Sequence, residues 1–272
     1  MQPTLTFDPE PPGSIRLLSL AQWTRGGTWQ INLAHDRAHA VLIWITRGQG
    51  VALLDGARVG LGAHNAVFVP ARQLFSLDMG RQGFGQVLIL PSGTGLTHPH
   101  EVQHLRIRDT ASQGELTNLL DAISREQKTA HPLTSSAIEA YAALILIWLR
   151  RHMAPDDSQM PKPRAARILS RAFCALVVRD FASGAVMADH ARLLGVSPTH
   201  LTRACKAETG KTAAALLTER QVHAARSLLG QTDVPAQDIA RHLGFGSAAY
   251  FTRFMRHHTG KPPSALRAAP VQ

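Results

Sequence analysis

The feature that most constrains this chain is a helix-turn-helix pattern that occurs twice in its last third. Such a unit needs a small residue where its two helices touch, a Gly or similar residue at the turn, a capping residue and an amphipathic second helix. The first copy has Ala191 as the small residue, Gly195 at the turn, Ser197 as the N-cap and Pro198 as the first helical residue. Its predicted inward-facing residues are Leu201 and Cys205.

The second copy has Ala240 as the small residue, Gly244 at the turn and Ser247 as the cap. Its predicted inward-facing residues are Phe251, Phe254 and Met255. One copy alone is a weak signal, because Ala-x-x-x-Gly recurs in many helical pairs. Two copies in one segment favour DNA-binding units over a helical bundle in which Gly and Ala merely allow close packing.

A helical pattern from about 212 to 229 separates the two copies, whose turn glycines are 49 residues apart. About 17 residues of helix are about 25 Å long. This length would set two recognition helices near one turn of a DNA duplex apart, about 34 Å between centres. The spacing therefore predicts that the helices read successive major grooves.

The net charge of +10 is unevenly placed. Residues 161–272 carry 16 Lys and Arg against 6 Asp and Glu, whereas residues 1–160 carry 13 of each. A neutral half joined to a basic half is typical of a sensor or oligomerisation domain attached to a polyanion binder. A solvated basic surface without a partner is the alternative.

The stretch 239–247 (IARHLGFGS), the run YFTRFMRHHTGKPPSALR and the earlier run VSPTHLTRACKAETGKT closely resemble the signature of the AraC/XylS family of transcription regulators. The resemblance covers roughly residues 164–268. It implies two helix-turn-helix subdomains joined by a linker helix, which bind double-stranded promoter DNA at direct-repeat or asymmetric sites. Members often activate transcription by contacting RNA polymerase, so the expected partners are promoter DNA and the polymerase, and no catalytic residue is expected.

The resemblance also implies which residues face DNA. Those expected to reach base edges are Thr199, Thr202, Arg203, Ser247, Ala249 and Arg253, and those expected on the phosphate backbone are Lys206, Thr252, Arg256 and His257, with Ser197 as the first cap. Many relatives have a long polar residue where Ala248 or Ala249 stands. Methyl contact with thymine, or phosphate anchoring, would replace hydrogen-bond readout there.

Short β-rich runs broken by turn signals fill the first half of the chain. The predicted strands are Trp29–Ala34, Val41–Thr46, Val51–Leu54, Ala66–Val69, Phe75–Leu77 and Gln86–Leu90. The pattern predicts a small antiparallel barrel or sandwich, because the connections leave no room for the crossover helices of a parallel sheet.

Two amphipathic helices, about 111–127 and 134–152, follow the strands. Their wide apolar stripes predict a hairpin that packs wholly on its own barrel or also forms a homodimer interface. The proline-rich stretch 154–163 is a predicted linker. The prediction is thus an α+β chain: an antiparallel, cupin-like β-barrel with a helical hairpin over 1–153, the linker, and an all-α double helix-turn-helix domain over 164–272.

The run LIWITRGQGVALLDGARVGLGAHNAVFVPARQ resembles the cupin-like effector domain of many AraC-family members. That resemblance implies a small organic effector, for which the candidate lining residues are Trp29, His35, Arg37, His39, Trp44 and His64. An Arg with several His favours an anionic or polar ligand. Because His35 and His39 are four apart rather than two, and because no acid follows at position 41, a metal or other cofactor is not expected.

Alternative functions are a cupin-type metalloenzyme with a DNA-binding tail, a DNA-repair methyl acceptor, and a regulator whose first half only dimerises. The broken ligand set counts against the metalloenzyme. A methyl acceptor needs a reactive Cys, but Cys174 and Cys205 lie in apolar helical patterns. Because the sequence begins without a basic and apolar leader, a cytoplasmic location is expected.

Overall fold

The computed structural model describes residues 13–129, 131–153 and 164–267. The predicted linker, 154–163, lies outside these ranges. Within them, no helix is both long enough and apolar enough to cross a bilayer.

Eight strands form two antiparallel sheets in the described residues. They are β1 (Arg16–Ser19), β2 (Ala40–Arg47), β3 (Gln49–Leu54), β4 (Ala57–Gly62), β5 (Asn65–Val69), β6 (Ser76–Asp78), β7 (Phe84–Leu90) and β8 (Gln103–Arg106). One sheet has the order β1-β7-β2-β5-β8 and the other the order β4-β3-β6. In the larger sheet Val41 pairs with Val69 on one side and with Ile89 on the other.

Eleven α-helices accompany the sheets over the same ranges. They are α1 (Leu20–Trp23), α2 (Trp29–Asn32), α3 (Thr110–Glu126), α4 (Thr134–His152), α5 (Ala165–Asp180), α6 (Met187–Leu193), α7 (Pro198–Thr209), α8 (Ala213–Gln231), α9 (Ala236–His242), α10 (Ala248–Thr259) and α11 (Pro263–Arg267). The chain is therefore a mixed α+β protein with antiparallel sheets in its first half and a helical second half.

One predicted strand is wrong, because Trp29–Ala34 begins with the helical turn α2. The apolar residues Trp29 and Ile31 alternate with polar ones as in a strand, but they pack against different parts of the protein. Ile31 enters the core between the sheets, whereas Trp29 packs on α8. The short strands β1, β4 and β8 were not predicted.

The larger sheet is apolar on both faces. Ile43, Val67 and Val87 point toward the smaller sheet, and Leu42 and Trp44 point toward the hairpin of α3 and α4. Strand β2 at its centre therefore lacks a solvated face, which explains why it is a nearly continuous apolar run.

The helical half has its own core around α8, and that core reaches the sheets. Phe173, Leu216 and Phe251 are fully buried in it together with Leu53 of β3. At the β3–β4 turn, Gly56 has φ +69, and a Cβ there would lie 2.6 Å from the backbone nitrogen of Arg171. The Ser170 hydroxyl donates to the Gly56 carbonyl at 2.6 Å. Helix α5 thus lies directly on this hairpin.

Candidate nucleic-acid interface

The first helix-turn-helix unit consists of α6 and α7. Ala191 is fully buried where the helices touch. Gly195 has φ +68, a left-handed conformation that favours glycine. The N–H of Val196 donates to the Ala191 carbonyl at 3.0 Å to close the turn. The Ser197 hydroxyl then accepts the N–H of His200 at 3.2 Å. The turn and the cap lie where the sequence predicts them.

The second unit, α9 and α10, repeats this construction. Gly244 has φ +76, the N–H of Phe245 donates to the Ala240 carbonyl at 2.9 Å, and the Ser247 hydroxyl accepts the N–H of Tyr250 at 3.1 Å. A Cβ on Gly244 would lie 2.6 Å from the carbonyl oxygen of Ala182. This glycine is therefore required by packing as well as by φ.

The two second helices are copies of each other at a constant offset in the chain, with Pro198 of α7 equivalent to Ala248 of α10. Both are 12 residues long, and both end at a left-handed glycine, Gly210 and Gly260. Thr209 and Thr259 each donate to the helix carbonyl four residues earlier at 2.7 Å. The turn glycines lie one position closer together than the helix starts do, so the second turn is one residue longer than the first.

Both helices bury one face and expose the other. Leu201, Cys205, Phe251 and Met255 are fully buried, and Phe254 is half-buried against Phe245. All the residues predicted to face DNA lie on the open faces: Thr202 and Thr252 are half-buried, and Ser197, Thr199, Arg203, Lys206, Ser247, Ala249, Arg253, Arg256 and His257 are exposed or nearly so. Their contact with DNA remains a prediction.

Two exposed residues at equivalent positions of the helices were not predicted, His200 and Tyr250. Each lies three residues after its capping serine, on the first turn of the helix. The constant offset between the helices would have identified them as a pair. Tyr250 is 52% exposed. So exposed an aromatic ring adds a stacking surface to the second helix.

The arginines of the units fall into two groups. On the first helices, Arg192 pairs with Asp189 and Arg241 pairs with Asp238. Within the described part of the chain, Arg203 and Arg253 form no ion pair. Their guanidinium groups are therefore available to an external anion, which argues against their being surface ion-pair residues.

Two histidines of the second unit have lowered pKa values. Burial and the neighbouring His257 hold the pKa of His258 below its usual value, and burial does the same for the pKa of His242 at the end of α9. The ring centroids of His257 and His258 are 4.7 Å apart.

Four of the six predicted effector residues fall into two pairs. Trp44 and His64 lie near α3, where the Trp44 indole N–H donates to Thr117 at 3.3 Å and the two rings are 5.8 Å apart. Trp29 and His35 instead contact α8. The remaining two are Arg37, whose guanidinium lies 4.8 Å from the Trp23 ring, and His39, which is buried.

The segment 29–36 holds α8 through polar contacts, one of which is a buried ion pair. Arg220 and Asp36 form an ion pair at 2.7 Å, and each side chain is 1% exposed. The Ala34 N–H donates to Glu219 at 2.9 Å, and the His223 Nε2–H donates to the Gln30 carbonyl at 3.2 Å. The helix between the two units is thus fixed to the sheet half of the chain.

His35 lies at the centre of this contact. Its ring stacks on His223 with centroids 4.4 Å apart and lies 4.3 Å from Phe75. Burial, with help from His223 and Arg37, holds the His35 pKa well below its usual value. The ring is therefore neutral, and its Nδ1–H donates to the Leu33 carbonyl at 2.8 Å.

The described residues form neither a metal-binding cluster nor a reactive thiol site. No cluster of three or more His, Cys, Asp or Glu among them could hold a metal ion. Burial raises the pKa of Cys174 to about 12 and that of Cys205 to about 11. Both thiols therefore stay protonated, and unreactive, at neutral pH.

Residues 190–269 match the model of a helix-turn-helix domain family. The arabinose operon regulatory protein of Escherichia coli is 25% identical over 178 residues, which are 65% of this chain and 56% of that protein. The bifunctional transcriptional activator/DNA repair enzyme AdaA of Bacillus subtilis is 26% identical over 113 residues, 42% of this chain and 52% of that protein. The chain spans about half the length of these curated relatives. ToxT of Vibrio cholerae has a solved structure that aligns with 93% of this chain and 95% of its own at 11% identity, with a TM-score of 0.40.

Proposed function

We propose that the chain is a regulator of the AraC/XylS family that binds DNA sequence-specifically and responds to a small organic effector. The observation that carries the proposal is the repeated recognition helix, with its cap, buried face and exposed arginine present twice. Exposed arginines on two equivalent helices do not contribute to a hydrophobic core. They fit a protein that contacts a polyanion such as DNA at two sites.

Helices α7 and α10 enter successive major grooves on one face of the DNA. Helix α8 between them has 19 residues. Its length of about 28 Å suits this spacing. Arg203 and Arg253 reach base edges, whereas Lys206 and Arg256 hold phosphates. The short side chains of Ala248 and Ala249 cannot hydrogen-bond to bases. The second helix therefore makes fewer direct hydrogen bonds to bases than a helix with long polar residues at these positions.

The sheet half, with the hairpin of α3 and α4, is the cupin-like domain for effector binding and dimerisation over 1–153, followed by a linker at 154–163 and the DNA-binding domain over 164–272. Leu144 and Ile147 remain exposed on α4, at 48% and 37%. They supply apolar surface for a homodimer. The regulator works in the cytoplasm as an activator that contacts RNA polymerase. The metalloenzyme alternative is not favoured.

A gel-shift titration of the full chain on DNA upstream of its own gene tests this function. It is run at two salt concentrations and against random competitor DNA. Sequence-selective binding with a steep loss of affinity at higher salt is the expected result. Binding that never exceeds binding to random DNA, with and without effector candidates and neighbouring promoters, would overturn it.

A further inference from the structure

A cavity opens at one end of the two sheets, between α1 and α2 on one side and β6 and the start of β7 on the other. Its volume is about 480 Å³. Pockets for small organic molecules measure roughly 300–1,000 Å³. The floor consists of Leu20, Ile31 and Leu77, which are buried members of the core between the sheets. Phe84 forms a rim that is 55% exposed.

The charge of the cavity limits what it can hold. Asp78 is the charged side chain among the described lining residues, and its Oδ1 accepts the Gly80 N–H at 3.1 Å. Thr28 and Asn32 supply further polar groups. The nearby Arg47 guanidinium lies over the Phe84 ring at 5.4 Å and is not a lining group. A carboxylate among the lining residues repels an anion, and so favours a neutral or cationic guest.

Helix α2 separates this cavity from α8 by a single turn. Thr28, Ile31 and Asn32 line the cavity. Trp29 faces the other way, with its ring 5.4 Å from His223 and beneath the Arg226 guanidinium at 4.5 Å. A guest that moves α2 must therefore move groups that hold α8.

We propose that this cavity binds a neutral or cationic small molecule with an apolar body of aromatic-ring size and a hydrogen-bond donor, and that α2 transmits its binding to α8. The inference rests on the proposed effector response. It assigns the ligand to a site distinct from Trp44 and His64, which lie near α3. Trp29 then transmits the signal rather than touching the ligand.

Two fluorescent probes that share one ring system test the site on the full chain. These are the neutral N-phenyl-1-naphthylamine and its anionic relative 1-anilinonaphthalene-8-sulfonate. We expect saturable binding of the neutral probe at one site, at least about 10-fold tighter than the anion. Asp78→Asn should reduce the difference in affinity between the neutral and the anionic probe.

Ala21→Trp fills the cavity from an exposed lining position. It should weaken binding of the neutral probe at least about 10-fold. Ala111→Trp, at an exposed position of α3, is the matched control and should bind normally. Equal binding by Ala21→Trp and the control, or tighter binding of the anion, would overturn the site.

Transmission is tested by hydrogen exchange of α8 amides with and without the neutral probe. We expect altered exchange around 219–226 in the natural chain, and none in a Trp29→Ala variant that still binds the probe. Unchanged exchange in the natural chain would overturn transmission. Selective DNA binding without probe binding refutes this cavity alone, whereas probe binding without selective DNA binding refutes only the proposed function.

Discussion

Asp36 and Arg220 lie 184 residues apart in the chain and form a buried ion pair whose N–O distance is 2.7 Å. The guanidinium also lies over the Phe181 ring at 3.7 Å, so it contacts both halves of the protein. Each of the two side chains is 1% exposed. Removing Arg220 would leave the buried Asp36 carboxylate with the largely exposed Arg72 as its remaining ion-pair partner in the described residues, and the loss of a buried partner is strongly destabilising.

Replacing Arg220 with Met should therefore lower the free energy of unfolding by about 3–5 kcal/mol. Arg72→Ala is the matched control, because Arg72 also pairs with Asp36, at 3.3 Å, but its side chain is 64% exposed. An exposed partner contributes about 0–1 kcal/mol. Urea denaturation of both variants measures the difference, and similar losses would contradict the assignment.

The two turn glycines should respond differently to the same substitution. A Cβ on Gly195 meets no atom within 4 Å, so Gly195→Ala should cost about 1 kcal/mol for its left-handed backbone alone. Gly244→Ala brings the same strain and also a Cβ 2.6 Å from the Ala182 carbonyl oxygen. The overpacking should cost about 2 kcal/mol more. Thermal unfolding of the two variants measures both values. Equal losses of stability would show that the backbone around Gly244 shifts to accommodate the Cβ without a cost in free energy.

Arg203→Ala should weaken binding to the native operator by about 1–3 kcal/mol and relax preference at one or two base pairs. Lys206→Ala, one turn along the same helix, should lower affinity for all sequences alike and flatten the salt dependence. Fluorescence anisotropy on operator and point-substituted duplexes separates the two effects. If Arg203→Ala lost affinity equally for all sequences, Arg203 would be assigned to phosphate contact rather than to base contact.

Stability should fall as the pH drops below about 6.5 because of His35. Its pKa is lowered in the folded state, so below the unfolded pKa the unfolded chain takes up a proton that the folded chain does not. The loss grows by at most about 1.4 kcal/mol per pH unit until the folded pKa is reached. Urea titrations from pH 7.5 to 5 should show a shallower slope for His35→Phe than for His100→Gln, an exposed control. Identical slopes would exclude His35 as the cause.

Residues that act locally were predictable from the sequence. The helix-turn-helix units follow from a small residue, a turn glycine and a capping serine within a few positions, and the structure places each of these where expected. The helix 134–152 is reproduced at both ends. These elements can be predicted from neighbouring residues without knowledge of any tertiary contact.

Residues that act across the chain were not predictable. Nothing near Asp36 in sequence indicates that its partner is Arg220. The direction of Trp44, toward α3 rather than into the space between the sheets, depends on strand register. The helical turn at Trp29 packs on α8, which lies much later in the chain. A sequence pattern does not identify tertiary partners, so it could not distinguish these arrangements from their alternatives.

Helix α8 is held near its midpoint, since the contacts at Glu219, Arg220, His223 and Arg226 fall in the middle of Ala213–Gln231. Helix α7 also packs on β4, and α5 packs on the β3–β4 hairpin. A small rotation of α8 would therefore change the position of α10 relative to α7. If effector binding imposes such a rotation, its effect on DNA binding would depend on the number of base pairs between the two half-sites.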